Sequence, residues 1–116
     1  LVVTPDQAKS QLVSFLREIG EDVTVRRYVG AGPDRAAQDV ATRARVMGYQ
    51  PKDLIGSIAQ GDRRVIVLAD DVAVLLPLTV SDKVVIRDRE CAIKAIDDNT
   101  RRIAGILIGL DLQVAG

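Results

Sequence analysis

The chain opens with one rhythm of apolar and polar positions and continues with another. Ala8, Leu12, Phe15, Leu16 and Ile19 are separated by steps of four, three, one and three residues, with Lys9, Gln11, Ser14, Arg17 and Glu18 between them. That spacing gathers the apolar side chains on one stripe of an α-helix. Thr4 can cap its start, and Pro5 stands at the first helical position, where a missing N–H costs nothing. Gln7 completes a capping box with Thr4, and Gly20 is placed to end the last turn. The pattern predicts one amphipathic helix over 5–19.

Beyond Gly20 the period falls to two. Val23, Val25 and Arg27 alternate with Thr24, Arg26 and Tyr28, which predicts a strand over 23–29. The stretch Gly30-Ala31-Gly32-Pro33-Asp34 reads as a loop, giving a long loop over 29–39. A second strand is expected near 40–48, with Val40, Thr42, Ala44 and Val46 on one face and Arg43 and Arg45 on the other. Residues 49–61 contain Pro51, Gly56 and Gly61 beside apolar Leu54, Ile55 and Ile58; one helical turn followed by a loop is expected there. Residues 63–69 read as a buried strand ended by Asp70-Asp71. Pro77 demotes the apolar run 72–76 to an edge or loop piece. Two strands, 83–87 and 91–97, follow around Asp88-Arg89-Glu90, and Asp97-Asp98-Asn99-Thr100 is a turn. A last strand over 103–115 carries Ile106, Ile108, Leu110, Leu112 and Val114 on one face, with a bend or bulge expected at Gly105 or Gly109.

About six short strands separated by turn signals point to a mainly β fold, either a small antiparallel barrel or a compact sandwich. The single helix is expected to cover one open end or one face. The chain of 116 residues reads as a single domain, helix 5–19 followed by a barrel over 22–115. Aromatic residues make up only 3% of it, with no Trp, so the core must be built from Val, Ile, Leu and Ala.

Sixteen basic and sixteen acidic side chains cancel. No long-range field would draw such a chain to nucleic acid or an anionic membrane. No apolar run approaches the roughly 18 residues of a membrane-spanning helix, and a soluble domain is expected, with no membrane partner. There is no histidine, which removes Ser-His and Cys-His pairs, histidine metal ligands and the commonest general base. The lone Cys91 cannot form an internal disulfide or a four-cysteine zinc site. It reads as a small apolar strand residue or, alternatively, as a reactive thiol beside Arg89 or Lys94. The pairs Asp70-Asp71 and Asp97-Asp98 fall at strand ends, where turn chemistry competes with a cation or acid–base role. Gly30-Ala31-Gly32 lacks the Lys-Ser or Lys-Thr of a phosphate loop. The inventory favours a binding protein over an enzyme, with no cofactor and no catalytic or metal-ligating residue assigned.

The candidate binding elements are the two long loops. Gly30, Gly32, Pro33 and Arg35 mark the first; Leu54, Ile55 and Ile58, costly to leave in water, mark the second. Each reads equally as a contact surface or as ordinary structure, a solvated loop in the first case and a barrel cap in the second. If Arg26, Arg43 and Arg45 share an outer sheet face they make a basic stripe, with only Tyr28 and Tyr49 as stacking platforms. Neighbouring acids would make the same face a solvated, charge-balanced one.

The stretch Ser81-Asp82-Lys83-Val84-Val85-Ile86 leads through Asp88-Arg89-Glu90 into Ala92-Ile93-Lys94-Ala95-Ile96-Asp97-Asp98 and on to the closing segment Ile103 to Val114. It resembles the ending of the head-tail joining proteins of tailed bacteriophages, the connector, stopper or head-completion group. The section from Ala44 to Leu68, with Gly48-Tyr49-Gln50-Pro51 and Gln60-Gly61-Asp62-Arg63, is similar to small phage and prophage proteins, as is the helix-then-barrel order. The chain departs from the pattern at Ser81, where Gly is usual, and at Cys91, where an aromatic is common. The resemblance implies a structural virion protein at the neck, made in the host bacterial cytoplasm. It would be one subunit of a ring, commonly of six, between the portal or adaptor and the tail. Its partners would be copies of itself and the portal, adaptor and tail proteins, with DNA only passing through the channel. Tail-completion or tail-tube proteins and an oligonucleotide-binding-type barrel are the alternatives.

Overall fold

The computed structural model describes residues 3–33, 35–49 and 58–116. Its first element, α1 (Pro5–Ile19), has the predicted bounds, and both halves of the Thr4–Gln7 capping box are formed. Leu12 and Leu16 are buried, while Phe15 and Ile19, expected on the same stripe, stand 39% and 49% exposed. Gly20 ends the helix for a reason other than the one expected. Its backbone is extended rather than left-handed, and a Cβ there would lie 2.3 Å from the Leu16 carbonyl oxygen and 3.0 Å from that of Ala44. Glycine is needed because two carbonyls crowd the site.

The strands are β1 (Glu21–Val29), β2 (Ala36–Gly48), β3 (Arg63–Leu68), β4 (Lys83–Ile86), β5 (Arg89–Asp97), β6 (Arg102–Ile103), β7 (Ile106–Leu107) and β8 (Gly109–Val114). Six of them close an antiparallel barrel in the order β1-β2-β3-β8-β5-β4, with β4 returning to β1; β6 and β7 form a separate two-stranded hairpin. Of the two shapes open to the sequence, the protein takes the barrel.

Alternation along each strand fills the interior. Val23 and Val25, Ala44, Val65 and Val67, Val84 and Ile86, Cys91 and Ile93, and Leu110, Leu112 and Val114 all lie in one buried cluster. No aromatic ring is among them, and side chains this small suit a six-stranded barrel, whose interior has room for little else. Cys91 is buried within it as an apolar group. The run Val65 to Leu68 is buried on both faces. Val65 and Val67 point into the barrel, while Ile66, Leu68 and Ile108 form a second cluster with Leu12 and Leu16 of α1. The helix therefore lies on an outer face and not over an end.

One end is closed by other means. The apolar run assigned to an edge or loop piece is a 310 helix (Ala69–Leu75) that turns across the barrel mouth, and Val72, Leu75 and Leu78 enter the core from it and the loop beyond. A cis peptide bond joins Leu76 and Pro77.

Three other expectations shift. The β4–β5 hairpin turns at Arg87-Asp88, both with positive φ, so the strands pair up to Ile86↔Arg89 across two residues in place of the expected three-residue connection. The long last strand is broken: Ala104 and Gly105, again with positive φ, form the tight turn of β6–β7, leaving Ile106 55% exposed. Ile108 faces the helix, and the barrel strand proper starts only at Gly109. The reason is packing, since a Cβ on Gly109 would meet Leu12 Cδ2 at 2.7 Å and the Val67 carbonyl oxygen at 3.0 Å. Finally, the loop expected over 29–39 is shorter, because β2 already starts at Ala36.

Replacing Gly109 with alanine forces α1 away from β8 and is expected to cost about 1–3 kcal/mol in denaturant unfolding, the range for overpacking. Gly48→Ala, where an added Cβ meets nothing within 4 Å, should change stability by less than about 0.5 kcal/mol.

Candidate protein-binding surfaces

β1 and β2 are paired without a register shift from Glu21↔Ala44 to Val29↔Ala36. Their outer neighbours stop sooner. β4 accompanies β1 only as far as Arg26, and β3 joins β2 only from Ala44. The pairs from Arg27↔Gln38 to Val29↔Ala36 therefore form a two-stranded arm beyond the barrel, exposed at Val29 and throughout 36–39. Gly30, Gly32, Pro33 and Arg35 all lie at its exposed tip, with left-handed φ at Gly30 and Gly32.

A two-stranded ribbon is marginally stable by itself, and this one is held at its root on both faces. Adjacent strand residues point to opposite sides, and Arg26 and Arg27 use both. On the outer side Arg26 donates to both carboxylate oxygens of Asp39 (2.9 and 3.1 Å) and to Glu90 (3.2 Å). Tyr28 Oη donates to the same Glu90 at 2.5 Å, and the Arg35 guanidinium stacks 4.1 Å from the Tyr28 ring centroid. A continuous chain of polar contacts thus runs from the tip to β5.

On the inner side Arg27 donates to Asp82 through two nitrogens (2.9 and 2.8 Å) and to the carbonyls of Leu75 (2.7 Å) and Pro77 (3.1 Å). Asp82 is 1% exposed and also accepts the Thr79 N–H at 2.9 Å. One ion pair binds the arm root, the end of the 310 helix and the loop entering β4. Burial works to raise the Asp82 pKa, but Arg27 and the Thr79 N–H outweigh it and hold the carboxyl below its usual range. Asp39 is held low chiefly by Arg26, and Glu90 by Tyr28 and then Arg26. At this same end Val74 and Val80 are 73% and 58% exposed.

Leu54 and Ile55 lie outside the described residues, and Ile58 is half-buried. What is described of their loop belongs to the other end of the barrel, because β2 begins at the arm and finishes at Gly48. Gly48, Tyr49, Gln60, Gly61 and Arg63 border a common recess there with Arg87 of the β4–β5 turn. Gly30, Gly32, Pro33 and Arg35 therefore lie at one end of β2, and the described flanks of the second loop lie at the other.

No family model, curated protein or solved structure matches this chain.

The basic stripe does not form as a free surface. Arg26 is engaged as above, and Arg43 turns to the end of α1, donating to the carbonyls of Leu16, Arg17 and Gly20 and to Asp22. A cation at a helix C-terminus complements the dipole and satisfies its open carbonyls. Of the acidic pairs, Asp70 bridges to Lys9, Asp71 accepts from Thr42, and Asp97 accepts the backbone N–H groups of Asn99 and Thr100. No cluster able to hold a metal occurs among the described residues.

Sequence reasoning missed the polar outer face of β8. Asp111 accepts from Arg64 (2.5 Å) and Arg101 (2.7 Å), and Gln113 and Lys94 donate to Asp62 (3.2 and 2.6 Å). Burial acts to raise the Asp62 pKa, but Lys94, the Ala59 N–H and Gln113 lower it overall. The only signal for this network in the sequence was the polar alternation at 111 and 113, which reads equally as a wet face. A further cleft of about 480 Å³ lies between α1 and the segment that follows β5, bordered by Ala8, Leu12, Phe15, Arg101 and Ile103.

Asp82→Asn is expected to destabilise the protein by about 1–3 kcal/mol, because it leaves a half-buried Arg27 without its counter-charge; urea unfolding measures it. The pH dependence follows from the depressed carboxyls, whose stabilisation is complete above their unfolded pKa values of about 4 and is lost as pH falls through the lower folded values. With no histidine present, the melting temperature should be nearly flat between about pH 6 and 8 and fall steeply below about pH 4.

Proposed function

We propose that the chain is a structural virion protein of a tailed phage or prophage, joining head to tail as one subunit of a ring-shaped connector or stopper. The observation that carries this reading is that the arm tip and the described flanks of the second loop lie at opposite ends of one closed barrel, spanned by the thirteen residues of β2. A joint between unlike partners needs two separate contact surfaces on a body stiff enough to hold them apart. A barrel has no flapping sheet edges within its own body, and the arm is fixed to it on both faces.

Three further features agree with it. The chain has no histidine and no net charge. Most arginines near the arm are bonded internally, so a DNA strand sliding past would meet few of the phosphate contacts that make binding tight and salt-dependent. The helix-then-barrel order is the one the sequence resemblance implies.

Electron microscopy of the purified protein, alone and with a portal assembly from a related phage, tests the proposal. Closed rings with a central channel, formed alone or seated on the portal, are the expected result. Absence of rings under both conditions would overturn it. Weak retention on duplex DNA at about 150 mM salt is also expected; tight binding would favour the oligonucleotide-binding alternative.

A further inference from the structure

Barrel closure pairs each of the six barrel strands on both sides along its body, but the arm reaches beyond that closure. Ala36–Ala41 in β2 is paired with β1 on one side, and among the described residues it makes no backbone hydrogen bond on the other. The opposite edge of the arm is less open, since the Asp82 loop runs beside Arg27. Natural edges are blunted by Pro, Lys, bulges or stray charges. This one reads Ala-Ala-Gln-Asp-Val-Ala, is free of bulges, and has its single charge, Asp39, taken up by Arg26.

We propose that this edge is a pairing site for a second copy of the chain, arm to arm, making one continuous four-stranded antiparallel ribbon. One edge can join its own copy only about a two-fold axis. For antiparallel strands that axis is normal to the sheet, so it preserves the faces and must pass through a residue position. Centred on Asp39, it would set two carboxylates against each other, which is destabilising. Centred on Ala37, it would draw the pairing out of the strand into the 30–35 turn. Centred on Gln38, it places Ala36 opposite Val40, Ala37 opposite Asp39, and Gln38 opposite itself. A primary amide donates and accepts at once, so two copies of Gln38 can bond each other with no conflict of charge. The small alanines leave room for the approach, and a neutral chain sets up no repulsion between copies. The inference does not rest on the connector reading: head-to-tail ring contacts would use other surfaces, and the arm edge is open whether or not rings form.

Sedimentation of the full chain tests it with two exposed substitutions, Gln38→Glu and Gln38→Lys. The wild type is expected to show a reversible monomer–dimer equilibrium. Each variant alone should be weakened by about tenfold or more, because like charges then face each other across the axis. An equimolar mixture should recover the dimer, now Glu against Lys, which also shows that both variants are folded. A wild type that stays monomeric at its highest attainable concentration overturns the proposal. So does a dimer indifferent to both substitutions, or a mixture that associates no better than its components. Pairing of the edge with a foreign extended peptide while the chain itself remains monomeric overturns it as well.

Discussion

The arrangement of the molecule depends on one ion pair set in the mouth of an aliphatic barrel. Arg27 lies at the position where β1 leaves its neighbour β4, and its guanidinium reaches Asp82, Leu75 and Pro77 together. A buried carboxylate is costly unless its charge and lone pairs are satisfied. Asp82 meets that condition only when the arm root, the 310 helix and the Thr79 turn are all in place. The pair is therefore a poor source of net stability but a strict selector of geometry. It tells the cap where to lie and the arm in which direction to leave.

The outer faces repeat that logic. Apolar side chains fill the barrel and the seam under α1, whereas each buried acid on the outside is matched to bases on other elements: Asp111 to Arg64 and Arg101, Asp62 to Lys94. Such pairs contribute modestly to stability when half exposed. Their larger effect is to fix register, since a one-residue slip of β8 would move Asp111 and Gln113 into the apolar interior.

Much of this was legible from periodicity. The helix could be bounded to the residue because its capping box, its proline and the position of its terminal glycine are all near in the chain. A mainly β fold with an aliphatic core followed from alternation and from the scarcity of aromatics, while the choice of barrel over sandwich rests on the pairing of β4 with β1. The failures were long-range. Alternation carries the first strand to Val29, but nothing near Gly30 tells that β2 starts at Ala36 and pairs with it beyond the barrel, because the support comes from Asp39, Glu90 and Asp82, up to 64 residues away in the chain. The run Ile103 to Val114 alternates as one strand, yet the turn at Ala104-Gly105 and the seat of Leu12 against Gly109 divide it. The candidate residues of the first loop could be named, but their place on an arm at the opposite end of β2 from Gly48 and Tyr49 depends on the length of that strand.

The arm is rooted in the barrel, and its two strands, 27–29 and 36–38, act as a stiff element of the fold. Amide hydrogen exchange followed by NMR on the free protein tests this most directly. Amides bonded across the β1–β2 pairs should stay protected past Arg26 as far as Val29↔Ala36, while the outward-facing amides of the open β2 edge are not protected. Exchange at free-chain rates in both strands immediately beyond Arg26 and Asp39 would contradict it.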